Sequence, residues 1–108
     1  MSKKALILTW ESYQDHEVVY PFYRVQEEGF KVDIMANKLG RIFGILGTYN
    51  ECTQSVYDLD DDKLFEKHMN DYDLLIIPGG VKALEYLRQQ KSALKFIKEW
   101  NGKKKTIA

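Results

Sequence analysis

Residues 73–80 read DLLIIPGG, and this stretch decides the predicted fold. The four consecutive aliphatic residues at 74–77 predict a strand buried on both faces, and the Pro-Gly-Gly sequence at 78–80 ends it. A second aliphatic run, ALILT at residues 5–9, predicts another strand of the same kind. Continuous aliphatic strands are typical of a parallel sheet that helices cover on both sides.

The chain on either side of these two strands alternates between helical and strand patterns. Further strands are predicted at residues 30–36 and at 103–108, the second after a turn at Asn101-Gly102. Apolar residues at spacings of three and four predict helices, which lie at residues 16–28, within 58–72, at 81–87 and at 92–100. This order predicts an α/β protein with a mainly parallel sheet.

Residues 37–59 interrupt the alternation. They contain several glycine and asparagine turn signals and short strand-forming pieces at 41–43 and 54–57. We therefore predict a small hairpin-like excursion in this region. No linker or internal repeat divides the chain, so residues 1–108 are expected to belong to a single domain.

The composition is that of an ordinary globular protein and narrows the range of functions. Of 108 residues, 44% are hydrophobic, and 16 basic residues balance 16 acidic ones. This balance gives no net field that favours nucleic acid or an anionic membrane, and no apolar run approaches the roughly 18 residues of a membrane span. The one cysteine, Cys52, cannot form an internal disulfide. We therefore expect a cytoplasmic protein with neither nucleic-acid nor membrane partners.

Two loops follow the carboxyl ends of the predicted strands, where parallel sheets place their ligand sites. Backbone N–H groups of Gly79 and Gly80 can hold an oxyanion there, although a plain strand-ending turn explains the same glycines. Glu17 lies at the start of the first helix and would face the same edge of the sheet. An acidic residue in a first helical turn also complements the helix dipole, so this structural reading of Glu17 stays open.

The histidines and the cysteine do not form a sequence pattern typical of a metal site or a catalytic site. His16 and His68 have no second ligand at metal spacing, and no glycine-rich nucleotide-binding motif occurs, so we expect neither a metal nor a cofactor. Cys52 has no electropositive sequence context that would activate its thiol. Aromatic residues gather around the first loop and helix, where most are expected to serve packing or an interface and one or two are candidates to line a pocket: Tyr13, Tyr20, Phe22 and Tyr23.

The ordered set of segments resembles the DJ-1/PfpI superfamily (ThiJ/PfpI, class I glutamine amidotransferase-like). The resemblance begins with KALILT at residues 4–9, continues through the first helix and second strand, and includes DYDLLIIPGG and KKKTIA. Glu17 stands four residues before Pro21, with Phe-Tyr-Arg at 22–24, and this resembles the PfpI branch more than DJ-1 itself. The resemblance implies a flavodoxin-like, three-layer α/β/α sandwich.

The resemblance also implies a catalytic site. Family members carry a nucleophilic cysteine at an elbow directly after the strand that KKKTIA resembles. The chain is therefore expected to be the N-terminal portion of one such domain, with the nucleophile just after Ala108. Glu17 matches the acidic residue that hydrogen-bonds the sulfur, and it would stay protonated because a neighbouring thiolate raises the pKa of a carboxyl. Gly79 and Gly80 match the turn that contributes to the oxyanion hole.

Two positions depart from the family pattern. Gln14 stands where many relatives carry a second acid, which argues against a glyoxalase-like proton shuttle. Leu46 stands where PfpI-type members often have a histidine.

The combined reading predicts a cysteine-dependent hydrolase or lyase acting on a small carbonyl or amide substrate, with glyoxalase, deglycase, amidase or peptidase-like activity. Activity is expected only together with the part of the domain that carries the nucleophile. Two alternatives stay open: a non-catalytic redox or stress-response protein of the same fold, and an inactive half-domain that must pair with another chain. Homo-oligomers are expected because they are common in the family.

Overall fold

A computed structural model describes residues 3–10, 15–44, 49–77, 81–102 and 106–107, with only the backbone described at 15–17, 19–20, 81–84 and 106–107. Its strands are β1 (Lys4–Leu8), β2 (Lys31–Ala36), β3 (Gly40–Phe43), β4 (Tyr49–Cys52), β5 (Gln54–Ser55), β6 (Leu74–Ile76) and β7 (Thr106–Ile107). Its helices are α1 (Asp15–Glu27), α2 (Asp62–Asp71), α3 (Val81–Arg88) and α4 (Lys91–Gly102), with a 3-10 helix at Val56–Asp60.

The central sheet is parallel, as the aliphatic runs predict. Its strands lie in the order β5-β2-β1-β6-β7, and every described pairing between neighbours is parallel. Within β1, Leu6 lies opposite Asp33 of β2 and Leu75 of β6. Residues 5–8 are completely buried, because helices cover both faces of this central strand.

Alternating side chains of the strands feed two hydrophobic clusters, one on each face of the sheet. Leu6 and Leu8 pack on what we call the three-helix face, with buried residues of α2, α3 and α4 that include Leu87 and Trp100. Ile7 packs on the opposite face, here called the α1 face, with buried side chains of β2, β6, α1 and the β3–β4 hairpin: Ile34, Ile76, Val18 and Ile42. The central sheet and the helices packed on its two faces therefore form a three-layer α/β/α sandwich.

The predicted excursion is confirmed in part and wrong in part. Strands β3 and β4 form an antiparallel hairpin. Residues 54–57, which we assigned to the same excursion, instead divide between two structures. Gln54 and Ser55 extend the central sheet beside β2, and a 3-10 helix starts at Val56. The Ser55 side chain accepts a hydrogen bond from the Tyr57 N–H at 3.2 Å, which caps this helix.

The end of one helix, α4, also differs from the prediction. Asn101 and Gly102 do not form a turn before the last strand but belong to α4, because burial of Trp100 holds the last turn of the helix against the sheet.

The acidic run before α2 is explained by capping. The Asp61 carboxylate accepts hydrogen bonds from the N–H groups of Lys63 and Leu64 at 2.9 and 3.1 Å.

No helix among the described residues is long and apolar enough to cross a membrane.

Candidate functional site

The strand order places a topological switch point, called the crevice below, at the carboxyl ends of two adjacent strands. From β1 the chain builds outward through β2 to β5, and it then returns to add β6 and β7 on the other side of β1. The helix after β1 packs on the α1 face, whereas Leu87 of α3, which follows β6, is buried on the three-helix face. The connections therefore diverge between β1 and β6, which is where parallel α/β sheets bind ligands.

The predicted acidic residue lies in the helix that leaves this point. Glu17 is in the first turn of α1, immediately before Val18, whose side chain is completely buried on the α1 face. Pro21 is inside the same helix. Since proline has no N–H, it cannot donate to the Glu17 carbonyl four residues earlier. The structure describes only the backbone of Glu17, so the contacts of its side chain stay a prediction.

The predicted glycine turn and the two departures lie outside the described residues. This applies to Gly79, Gly80, Gln14 and Leu46. The description of β6 ends just short of the turn: the strand finishes at Ile76, and Ile77 packs against the core of the three-helix face. The roles of these four residues therefore stay predictions.

Sequence reasoning assigned Thr9 only to a strand, but the structure gives this residue an unusual environment. The Thr9 N–H donates to the Met35 carbonyl at 2.9 Å, which continues the β1–β2 ladder. Its side chain is 2% exposed, and its hydroxyl has no hydrogen-bond partner in the described part of the chain. A buried polar group without a partner is uncommon and costs free energy. The sequence signal was a hydroxyl directly after an aliphatic run at the expected ligand edge.

An aromatic group at the same edge was also missed. Trp10 follows β1 and stacks on Tyr86 of α3, with ring centroids 6.0 Å apart and an interplanar angle of 22°. Tyr57, near the end of β5, meets the Trp10 ring edge-on at 6.4 Å. These three residues, called the aromatic wall below, are far apart in sequence, so no local pattern joins them. Two of the four aromatic residues singled out from the sequence, Phe22 and Tyr23, form a different contact, with ring centroids 5.4 Å apart.

Cys52 is buried in the cluster of the α1 face, beside the carboxyl end of β2, and is not activated. Its thiol lies within hydrogen-bonding distance of the carbonyl oxygens of Ile34, at 3.3 Å, and Gln54, at 3.0 Å. Burial raises the pKa of the Cys52 thiol, which outweighs the opposing effect of its backbone hydrogen bonds. The prediction that Cys52 is not the nucleophile is therefore supported by its environment.

Two sets of polar contacts, both at least partly accessible, lie in the region of β2 and α2. The Tyr72 hydroxyl donates to Asp33 Oδ2 at 2.7 Å, and the Thr53 hydroxyl donates to Asp33 Oδ1 at 3.0 Å. His68 is almost completely buried, and its Nε2 lies 3.2 Å from Asp58 Oδ2. No cluster of three metal-ligating side chains occurs in the part of the chain that the structure describes. These contacts connect structural elements and do not reach the crevice.

The parallel sheet, its two helical layers and the crevice define a flavodoxin-like α/β protein. The DJ-1/PfpI family model matches residues 3–108, and the chain belongs to this family. Its relatives support the PfpI branch. A deglycase of Pyrococcus abyssi is 31% identical over 106 residues, covering 97% of this chain and 58% of the relative. The deglycase PfpI of Pyrococcus furiosus is 29% identical with the same coverage of both chains.

Solved structures show the same fold. A two-domain protein of Anabaena variabilis, with DJ-1/ThiJ/PfpI-like and ferritin-like domains, has a TM-score of 0.81 at 20% identity. The match covers 98% of this chain and 28% of that one. The chain spans about half the length of the curated relatives it matches.

Proposed function

We propose that this chain is the N-terminal portion of a cysteine-dependent hydrolase or lyase that acts on a small carbonyl or amide substrate. The observation that carries the proposal is the crevice between β1 and β6, with Glu17 in the first turn of the helix leaving it. The strand β7 lies beside β6 with Leu75 opposite Ile107. A cysteine that follows β7 would therefore approach the same crevice, because carboxyl ends of parallel strands share one edge.

The proposed reaction begins with the thiolate of that cysteine. Its electron pair forms a bond to the carbonyl carbon, and the carbonyl π pair moves onto the oxygen. Backbone N–H groups of Gly79 and Gly80 would stabilise this oxyanion, and the Glu17 carboxyl would donate a hydrogen bond to the sulfur. The buried Cys52, with its raised pKa, does not suit this role.

Two relatives are named as deglycases, which supports a substrate derived from a carbonyl compound. Gln14 cannot shuttle a proton as a carboxyl does, so a glyoxalase-like step would need another residue to carry the proton. A cytoplasmic location and a homo-oligomeric state are parts of the same proposal. The single cysteine, which cannot form an internal disulfide, supports the location, and the family supports the oligomeric state.

The test is turnover by the complete protein that contains this chain. Purified protein is assayed with a 1,2-dicarbonyl, with a dicarbonyl-modified amine and with a peptide amide, before and after alkylation of its thiols. We expect turnover of at least one of these substrates, its loss on alkylation, and the label on a cysteine other than Cys52. Reversible thiol oxidation without turnover would support a redox-response protein instead.

A further inference from the structure

The aromatic wall stands on both sides of the point where the chain connections diverge. Trp10 comes from the loop after β1, whereas Tyr86 comes from the helix after β6. Their stacked rings, 6.0 Å apart, therefore bridge the two connections that border the crevice. Tyr57 adds an edge-on ring from the neighbouring 3-10 helix.

These rings do not simply fill the core. Tyr57 and Tyr86 are 49% and 48% exposed, whereas the core aromatics Phe96 and Trp100 are fully buried. Trp10 is partly buried and packs against both hydrophobic clusters. The wall thus keeps aromatic surface accessible at the edge where a substrate would enter.

Each ring is attached to a well-anchored backbone. The residue before Trp10 is held by the hydrogen bond from the Thr9 N–H to β2. The residue after Tyr86 is Leu87, which is 3% exposed, and the residue before Tyr57 is Val56, which is 1% exposed. Rings on fixed backbone lose little conformational freedom on binding, which favours recognition.

We propose that Trp10, Tyr57 and Tyr86 form one wall of the substrate site and select carbonyl substrates that carry a planar, apolar substituent. The proposal rests on the function proposed above. Aromatic side chains bind planar groups by offset stacking or edge-to-face contact, and ligand sites combine such surfaces with a few polar groups. The wall provides the apolar surface, and the crevice provides the reacting groups.

The first measurement is substrate selectivity in the complete protein. The ratio of kcat/KM for phenylglyoxal to kcat/KM for methylglyoxal is compared between the wild type and Tyr86→Ala. We expect this ratio to fall about threefold to tenfold, the factor expected for one lost aromatic contact. Tyr86→Phe, which keeps the ring, should retain the ratio. The matched control is Tyr23→Ala, because Tyr23 is also an exposed tyrosine in aromatic contact, but lies on α1.

A second measurement does not depend on turnover. The chain has two tryptophans, and Trp100 is fully buried, so a ligand on the wall should quench Trp10. We expect acetophenone, an unreactive aryl ketone, to quench tryptophan emission saturably in the wild type and the Tyr23→Ala variant. Acetone should not quench in this way, and Tyr86→Ala should weaken the acetophenone effect.

The outcomes separate the two proposals. Absence of turnover with saturable, Tyr86-dependent quenching overturns the proposed function and supports the wall as a binding site. Turnover with an unchanged selectivity ratio in folded Tyr86→Ala overturns the wall, as does a wild type that shows no saturable quenching.

Discussion

The Tyr72 hydroxyl donates a hydrogen bond of 2.7 Å to Asp33 and so connects the entrance of β6 to β2, across the intervening strand β1. The Tyr72 ring is 2% exposed and belongs to the core of the three-helix face. Burial, followed by the hydrogen bond to Asp33 and the negative charges of Asp33 and Asp71, raises the pKa of Tyr72 far above its ordinary value of 10.0. The network therefore favours the protonated hydroxyl.

Removing this hydroxyl should destabilise the fold. We expect Tyr72→Phe to lower the free energy of unfolding by about 1–2 kcal/mol, because the ring still packs but Asp33 Oδ2 loses the donor that Tyr72 supplies. Urea unfolding followed by circular dichroism gives this difference. Tyr23→Phe, at an exposed site, is the control and should change stability by less than about 0.5 kcal/mol. Equal stability of Tyr72→Phe and wild type would contradict the structural role of this bond.

The same pair predicts a loss of stability in alkaline solution. The folded state holds the Tyr72 proton more tightly than the unfolded state, since the folded pKa lies above 10.0. The stabilising effect is therefore complete below about pH 10 and declines as the pH rises further towards the folded pKa. Unfolding midpoints measured from pH 8 to 11 should fall more steeply for the wild type than for Tyr72→Phe. Parallel pH profiles would show that Tyr72 does not titrate as described.

Two threonines should respond differently to the same substitution. Thr53 donates to Asp33 and accepts from the Ile34 N–H at 3.3 Å, whereas the Thr9 hydroxyl has no partner within the described residues. We expect Thr53→Val to cost about 1 kcal/mol and Thr9→Val to leave stability unchanged or increased. Thermal unfolding of both variants makes the comparison. A larger loss in Thr9→Val than in Thr53→Val would mean that Thr9 has a structural partner in the complete protein.

Cys52 should be unreactive while the protein is folded. Burial raises the pKa of its thiol and also blocks access. We expect iodoacetamide at neutral pH to leave Cys52 unlabelled in the native state and to label it in urea, as peptide mapping by mass spectrometry would show. Rapid native labelling of Cys52 would place an accessible thiol where the structure has a buried one.

The end of α4 should depend on one large side chain. Trp100 is fully buried among residues of the three-helix face and stands 5.9 Å from the Phe96 ring. Trp100→Ala should lower the free energy of unfolding by about 3–5 kcal/mol because it leaves a cavity. The exposed Lys98 of the same helix provides the control, and Lys98→Ala should change stability by less than about 0.5 kcal/mol. Similar values for the two variants would contradict the burial of Trp100.

Local patterns predicted the central fold well because its strands are aliphatic on both faces. Residues 5–8 and 74–76 are continuous in sequence and central in the sheet, and both were assigned correctly. The hairpin was predicted from its turn residues. The sequence did not separate Gln54-Ser55 from that hairpin, because the preference of these polar residues for the β2 edge depends on tertiary contacts.

The candidate site was less accessible to sequence reasoning. The chain connections diverge between β1 and β6 because of the order of the strands in the sheet. The alternation of strands and helices in the sequence predicts a parallel sheet but does not give that order. Trp10 and Tyr86 are 76 residues apart, so their stacking is a consequence of the fold. The lack of a partner for the Thr9 hydroxyl among the described residues depends on its neighbours in the fold, which the sequence does not show. Glu17, in contrast, was found by resemblance and helix position, and its catalytic role stays a prediction.

The measurement that tests the central claim most directly is the effect of Glu17→Ala on kcat/KM in the complete protein, because alanine leaves no side-chain donor for the sulfur. Glu27→Ala is the matched control, since it makes the same change at an exposed position of the same helix. We predict that Glu17→Ala lowers kcat/KM by about a hundredfold or more, while Glu27→Ala stays within about twofold of the wild type. Equal activity of the two folded variants would contradict a catalytic role for Glu17 and, with it, the proposed site.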